Sequence, residues 1–387
     1  MIQGIHVKTG KAIALRLKGG VIQSIQAGKG KHWIGPGLVD LQINGFRGLD
    51  FNKLPLAEDL PGRVTRELWK EGVTSYFATV ITNSPEAIEA CVRAIARGCE
   101  RDPDAGAGIA GIHLEGPFIS PEDGPRGAHD RAFVRPPDPD LFRRWQEGAG
   151  GRIRLVTLSP EWPGACPFIE GCVKEGVTVS IGHTAATPGQ IRDAVAAGAS
   201  MSTHLGNGSH LTLPRHPNYV WEQLAQDGLA ACFIADGFHL PDSVIKVILR
   251  VKGRNAMMVS DAVYLSGLPP GTYDTHIGGK VKLTSEGRLH LAGDGRILAG
   301  SVRMVLSGVD HLVCAGLAGL GEAWEMASTR PAARMNLAAG RGLKASAPAD
   351  FVLFARVKDR IEILETWKGG RKVFAQPTAD ALSPQDP

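Results

Sequence analysis

Glu115, His183, His204 and Asp261 carry the strongest chemical signal in this chain. Each closes a short apolar run, and the corresponding positions after the other runs hold Gln42, Asn44, Thr82, Asn83, Ser159, Glu161, Asp236 and His239. A strand has to exit into solvent, so some polar residues at such ends carry no message. Glu, His, His and Asp in succession do. One carboxylate and two imidazoles suit a catalytic Zn²⁺ site that keeps a coordination position open, whereas a structural zinc site is closed by four protein ligands, often including Cys. A divalent ion in such a set brings the pKa of water down to about 7 and so supplies a nucleophile at neutral pH. That nucleophile needs a group to accept its proton and return it to the leaving atom, and Asp261, ending Met257-Met258-Val259-Ser260-Asp261, has the chemistry for it. Singly, each has a bland alternative: a hydrogen-bonded loop histidine, or for Asp261 an N-cap or Asx turn. The joint occurrence favours a metal site.

These residues act together only if the fold gathers them. Eight short apolar runs, at 37–42, 73–80, 108–114, 153–158, 177–181, 201–205, 230–235 and 256–259, alternate with helical patterns. That is the arrangement of parallel strands joined by crossover helices, and eight units predict a closed (β/α)8 barrel of the TIM type. In such a barrel the catalytic groups sit at the C-terminal ends of the strands, where the polar residues above fall. Helix starts are legible at Ser84-Pro85, Thr187-Pro188 and Leu240-Pro241, each pairing a proline with the first helical turn. The lack of a G-x-G-x-x-G after the first strand argues against a dinucleotide-binding fold, the other arrangement that gives such alternation.

The two ends have a different texture. Residues 12–17, 21–26, 350–354 and 361–367 read as short strands between Lys-Gly turns. Neither end alone has enough strands to bury a face, so both are expected to join in one small β-sandwich. The predicted division is 1–36 plus 341–376 for the β-sandwich and 37–340 for the barrel. The Pro, Asp, Ser and Gln of 377–387 predict a disordered tail.

Composition narrows the function classes. The chain has 387 residues, with 43 Lys and Arg against 39 Asp and Glu, a net charge of +4. With no long run of one sign, neither a nucleic-acid stripe nor a polybasic membrane patch is indicated, and small-molecule partners are expected. Mean hydropathy is −0.05, and no apolar stretch reaches the roughly 18 residues of a transmembrane helix. Met1 to Lys8 lacks the basic and apolar regions of a signal peptide, so a cytoplasmic location is expected. The six cysteines never form a C-x-x-C pair and read as small buried hydrophobes rather than thiolate ligands or disulfides. The 49 glycines cluster where apolar runs end, as tight loops after strands require.

The motifs Pro36-Gly37-Leu38-Val39-Asp40-Leu41-Gln42-Ile43-Asn44-Gly45, His113-Leu114-Glu115-Gly116-Pro117-Phe118, Gly182-His183-Thr184, Thr203-His204-Leu205, Ala235-Asp236-Gly237-Phe238-His239, Ser260-Asp261-Ala262 and Leu298-Ala299-Gly300-Ser301 occur in this order over nearly the whole chain. In them the sequence resembles the amidohydrolase superfamily, and within it the N-acetylglucosamine-6-phosphate deacetylases. The resemblance implies a barrel with a small β-sandwich and one divalent metal per subunit, bound by Glu115, His183 and His204, with Asp261 as general base and then acid. Zn²⁺ is preferred, and Fe²⁺, Co²⁺ or Mn²⁺ also suit two imidazoles and a carboxylate. It further implies that His129 polarises the acetyl carbonyl and that His239 contacts the sugar or its phosphate. Gln42, Ala128, Asn207, Gly208, Leu298, Ala299 and Gly300 would complete the substrate site. Arg215 would reach the phosphate in a neighbouring subunit of a homodimer, a task suited to its bidentate fork.

Departures from the family qualify this picture. Many amidohydrolases carry His-x-His on the first strand, where this chain has Gln42-Ile43-Asn44, so one metal is expected rather than two. After His204-Leu205 the family usually continues with an aromatic residue, Asn and Ala, whereas here Gly206-Asn207-Gly208-Ser209-His210 follows. The substrate is therefore read as an N-acetyl amino sugar, most plausibly the 6-phosphate, with another N-acyl substrate or a non-catalytic barrel as alternatives. His210 and His216 are either added positive charge for a phosphate or ordinary loop histidines. His113, two residues from Glu115 on the same strand face, either orients that carboxylate or is a satisfied core residue. Trp33, Trp69 and Trp162 read as packing residues.

Overall fold

A computed structural model describes residues 1–275 and 279–377; the expected tail lies, but for Pro377, outside the described residues. Eight parallel strands form the central sheet in sequential order: Leu38–Ile43, Val73–Ile81, Ile109–Glu115, Ile153–Leu158, Thr178–Ile181, Met201–Ser202, Ala230–Phe233 and Ala256–Met258. The expected (β/α)8 barrel is present, and each strand sits where an apolar run predicts it. Between the eighth strand and the first, the continuous ladder is replaced by side-chain bonds and one isolated bridge, Ile43 to Ala262. The Asp40 carboxylate accepts from the Ser260 N–H at 3.2 Å, the Ser260 hydroxyl donates to the Gln42 carbonyl, and the Asn44 N–H donates to the Ala262 carbonyl. The sixth strand is shorter than the expected 201–205. Thr203 still donates its backbone N–H to the Ile181 carbonyl and bonds Thr157 and Ser180 through its hydroxyl, but His204 turns into the left-handed region and ends the strand.

The helices begin largely as their caps dictate. Ser84 Oγ accepts from the Ala87 N–H at the start of Pro85–Arg101, and Thr187 forms a reciprocal capping box with Gln190 at Pro188–Ala196. The helix Asp242–Lys252 differs, with Pro241 at its N-cap and no side-chain cap.

The two ends combine as expected. Strands Ile2–His6, Ala12–Lys18, Val21–Ala27, Trp33–Pro36, Phe351–Val357, Arg360–Lys368 and Arg371–Ala375 make one seven-stranded sheet. It folds over on itself: the Gly19-Gly20 turn approaches Gly369 so closely that a Cβ on Gly20 would lie 3.2 Å from the Gly369 carbonyl oxygen. Leu15, Ile22, Ile34 and Phe351 fill its interior. Lys368 docks the sheet on the barrel, donating to Asp350 at 2.7 Å and to Ser75 Oγ at 2.9 Å.

One element has no counterpart in the sequence expectations. After the eighth strand the chain forms a small three-stranded antiparallel sheet, Gly271–Thr275, Gly279–Leu283 and Leu289–Leu291, with its own core of Leu265, Val281, Leu283 and Leu289. The cysteine expectation needs one correction. Cys91, Cys99, Cys172 and Cys232 are buried, but Cys166 is half-buried and Cys314 exposed. Trp33, Trp69 and Trp162 are packing residues: Trp33 stacks on Phe354, Trp69 is buried, and Trp162 donates to the Ile119 carbonyl.

Candidate metal centre and active site

Three strand ends bring three ligand-type atoms together. Glu115 Oε1 lies 3.0 Å from His204 Nε2 and 3.3 Å from His183 Nε2, and the two imidazole nitrogens are 3.1 Å apart. Among the described residues this is the one cluster of three or more His, Cys, Asp or Glu side chains with metal-site spacing, and all three are buried. His183, His204 and Asp261 all have left-handed backbones, with φ of +48°, +26° and +51°. A non-glycine residue holds that conformation at roughly 1–2 kcal/mol, and such strain gathers at functional sites.

The surrounding bonds aim the ligands. His183 Nδ1 lies 2.8 Å from the Pro125 carbonyl, so its proton sits there and Nε2 keeps a lone pair for the centre. Gln42 Nε2 donates to Glu115 Oε1 at 2.7 Å. Gly208 backs onto His183, and a Cβ there would fall 2.7 Å from its Nδ1. Two imidazoles and a carboxylate crowded into a buried space present converging lone pairs, and a divalent cation fits that donor set.

Residues 33–373 match the Amidohydrolase family. The chain belongs to that family. Among its curated relatives, the N-acetylglucosamine-6-phosphate deacetylase of Bacillus subtilis is 36% identical over 285 residues, 72% of this chain and 69% of that protein. The human N-acetylglucosamine-6-phosphate deacetylase is 32% identical over 358 residues, covering 89% of this chain and 84% of its own. A mutant N-acetyl-D-glucosamine-6-phosphate deacetylase of Mycobacterium smegmatis, solved in complex with N-acetyl-D-glucosamine-6-phosphate, aligns with TM-score 0.85 at 27% identity, over 96% of this chain and 98% of that one.

In this amidohydrolase the titratable groups are pushed apart in a useful way. Burial works to raise the Glu115 carboxyl, but the His183 and His204 imidazoles packed against it outweigh that and hold Glu115 well below the usual range. Burial and the negative charge of Glu115 push Asp261 up to about 6, against the opposing pull of His204, His239 and the Asn44 amide. Asn44 Nδ2 donates to Asp261 Oδ1 at 2.7 Å, fixing the carboxylate's rotation. Burial, with a smaller contribution from His183, lowers His129 to about 3, so its ring is neutral. His129 Nδ1 is tied to Thr82 Oγ1 at 2.8 Å, and its ring lies edge-on to His183 with centroids 4.5 Å apart.

The other expected residues fall into three groups. His239 is at the site, its Nδ1 bonded to Asp236 Oδ2 at 2.7 Å, which with the nearby backbone N–H groups draws Asp236 down to about 2 despite its burial. Ala128 precedes His129 on the loop that bends over His183, Asn207 folds back through its N–H onto the His204 carbonyl, and Leu298-Ala299-Gly300 leads into Ser301, which bridges to Ala262 beside Asp261. Arg215 stands apart, exposed on the loop after His204. His113 is a core histidine, bonded to the Leu41 carbonyl at 3.1 Å and Thr157 Oγ1 at 2.7 Å; it leaves Glu115 to Gln42. His210 is engaged by Tyr219 and Glu122 at 3.0 and 2.9 Å, so it links two loops rather than offering a free charge.

Proposed function

We propose that this protein hydrolyses the acetamide of N-acetylglucosamine 6-phosphate to glucosamine 6-phosphate and acetate. The buried Glu115, His183 and His204 cluster, facing Asp261 in a chain whose curated relatives bear that name, carries the reading. One divalent ion per subunit, preferably Zn²⁺, with Fe²⁺, Co²⁺ or Mn²⁺ also suited, would be held by Glu115, His183 and His204, and would supply Lewis acidity and activated water. Asp261 takes the proton of the attacking water as its oxygen joins the acetyl carbon. As the C–N bond breaks, Asp261 returns that proton to the leaving nitrogen, its carboxylate held in one rotation for both transfers by the Asn44 amide. His129, neutral and oriented by Thr82, donates from Nε2 to the acetyl oxygen, where negative charge develops. Gln42 and Asn44 hold Glu115 and Asp261 in place. His239, Ala128, Asn207, Gly208 and the Leu298-Ala299-Gly300 backbone bind the sugar.

The working unit is a homodimer in which Arg215 reaches the phosphate at the neighbouring site. In support, Arg215 forms no ion pair among the described residues, and on the same surface segment Leu211 is 99% and Trp221 55% exposed, apolar area suited to cover by a second subunit. No described helix is long and apolar enough to cross a membrane; our reading of the location is cytoplasmic, where a phosphorylated sugar, too charged to diffuse through a membrane, is retained. The test is acetate release by zinc-loaded protein from N-acetylglucosamine 6-phosphate, N-acetylglucosamine and N-acetylgalactosamine 6-phosphate at equal concentration. Strong preference for the first is expected. Release from none, with metal bound, would overturn the substrate and point to 206–216 as the segment that redirected specificity.

A further inference from the structure

Glu161 lies just past the fourth barrel strand, among the polar strand-end residues, and no step of the proposed chemistry uses it. Its carboxylate is an acceptor for three donors. Oε1 accepts from Ser120 Oγ at 2.8 Å, and Oε2 accepts from Ser159 Oγ at 2.6 Å and from the Ala185 N–H at 2.7 Å. These donors belong to the loops that follow the third, fourth and fifth barrel strands. The third-strand loop carries Ala128 and His129; the fifth begins Gly182-His183.

Other bonds reinforce each tie. The Ser120 N–H donates to the His183 carbonyl at 2.9 Å, and Ser159 Oγ pairs with Thr184 Oγ1 at 2.7 Å. Gln190 Nε2 reaches the Glu161 carbonyl at 3.3 Å. His183 thus sits between two anchored points, Ser120 on its own carbonyl and Glu161 on the N–H two residues on. Its φ of +48° persists only if its surroundings enforce it.

We propose that Glu161 is a positioning residue for the metal centre, clamping three barrel loops so that His183 keeps its left-handed backbone and directs Nε2 toward Glu115 and His204. This rests on the reading of those three side chains as metal ligands. Replacing Glu161 by alanine leaves two hydroxyls and the Ala185 N–H without their acceptor. Glutamine keeps the shape: its oxygen can serve Ala185 and Ser159, while the Ser120 hydroxyl turns to accept from the amide.

The experiment measures Zn²⁺ affinity by chelator competition and the visible spectrum of the Co²⁺-loaded full chain. It compares the wild type with Glu161→Ala, Glu161→Gln and Thr366→Val. Thr366 is buried in the terminal sheet, donating to the Trp69 carbonyl at 2.7 Å, so its variant reports stability loss alone. The alanine variant should bind Zn²⁺ about 10–100-fold more weakly and change the Co²⁺ bands, the glutamine variant should recover much of both, and Thr366→Val should lower Tm with wild-type affinity. A folded alanine variant with wild-type affinity and spectrum overturns the clamp, as does Thr366→Val weakening Zn²⁺ equally. If the alanine variant does not fold, Glu161→Gln decides: Zn²⁺ affinity between the wild-type value and a loss of about 10-fold, below that of Thr366→Val, supports the clamp, and affinity and Co²⁺ spectrum equal to those of Thr366→Val overturn it. Failure of the wild type itself to bind either ion removes the metal reading and the clamp with it.

Discussion

A single methyl group at Gly208 tests whether the metal centre depends on close packing behind His183. Gly208 has φ +55°, and a Cβ there would lie 2.7 Å from Nδ1, 3.0 Å from Cε1 and 3.2 Å from Cγ of the ring. Relief to an ordinary contact of about 3.5 Å needs a shift of roughly 0.8 Å. The ring has little room to yield: Nδ1 is bonded to the Pro125 carbonyl at 2.8 Å, and Gly127 also packs close, so that a Cβ there would sit 3.2 Å from Cε1. Gly208→Ala therefore carries two penalties. The left-handed backbone costs roughly 1–2 kcal/mol of stability, and a displacement approaching 1 Å at a ligand lowers activity by about 100-fold. Gly150→Ala separates them, because Gly150 has a nearly identical φ of +57° with nothing within 4 Å of the added Cβ. Urea unfolding should show a loss for both variants, the larger one for Gly208→Ala, where the clash adds to the backbone cost. Chelator competition should show weakened Zn²⁺ binding for Gly208→Ala alone. Equal Zn²⁺ affinity in the two variants would refute the packing argument.

Asp261→Asn should retain the metal and lower turnover by about 10²–10⁴-fold; single-turnover assays giving wild-type rates would remove Asp261 from proton transfer. Burial raises the Asp40 carboxyl to about 7, against the lowering pull of the Ser260 and Gln42 bonds. The folded protein therefore holds a proton between about pH 4 and 7 that the unfolded chain releases, and stability falls with rising pH in that window by at most ~1.4 kcal/mol per unit. Asp40→Asn should flatten this slope in urea unfolding compared across the window, and unchanged slopes would show that Asp40 titrates normally. Arg215→Ala should raise KM for the phosphorylated sugar and leave the unphosphorylated one unaffected; equal effects on both would place Arg215 away from the phosphate.

Much of the architecture is legible along the chain because parallel barrel strands are buried on both faces and so appear as uninterrupted apolar runs between helical patterns. The cluster is legible for a related reason: Glu115, His183 and His204 are costly to bury and sit where apolar runs end. The small sheet after the eighth strand escapes notice because its strands are short: Lys280, Lys282 and His290 alternate with Val281, Leu283 and Leu289 over too few residues to stand out. His113 is ambiguous from spacing alone, since Leu41 and Thr157, which satisfy it, come from the first and fourth barrel strands, remote in sequence.

The sequence by itself determined the eight strands, the sharing of one small β domain by both ends, and the ligand types gathered at the barrel mouth, because burial pattern and residue chemistry are properties of position along the chain. What only the tertiary structure decided is which atoms meet. Gln42 rather than His113 holds Glu115, Asn44 sets the rotation of Asp261, His210 binds Glu122, and Glu161 ties three loops. Each is a hydrogen bond between segments remote in sequence, and its partner depends on strand register and loop conformation, which no local pattern encodes.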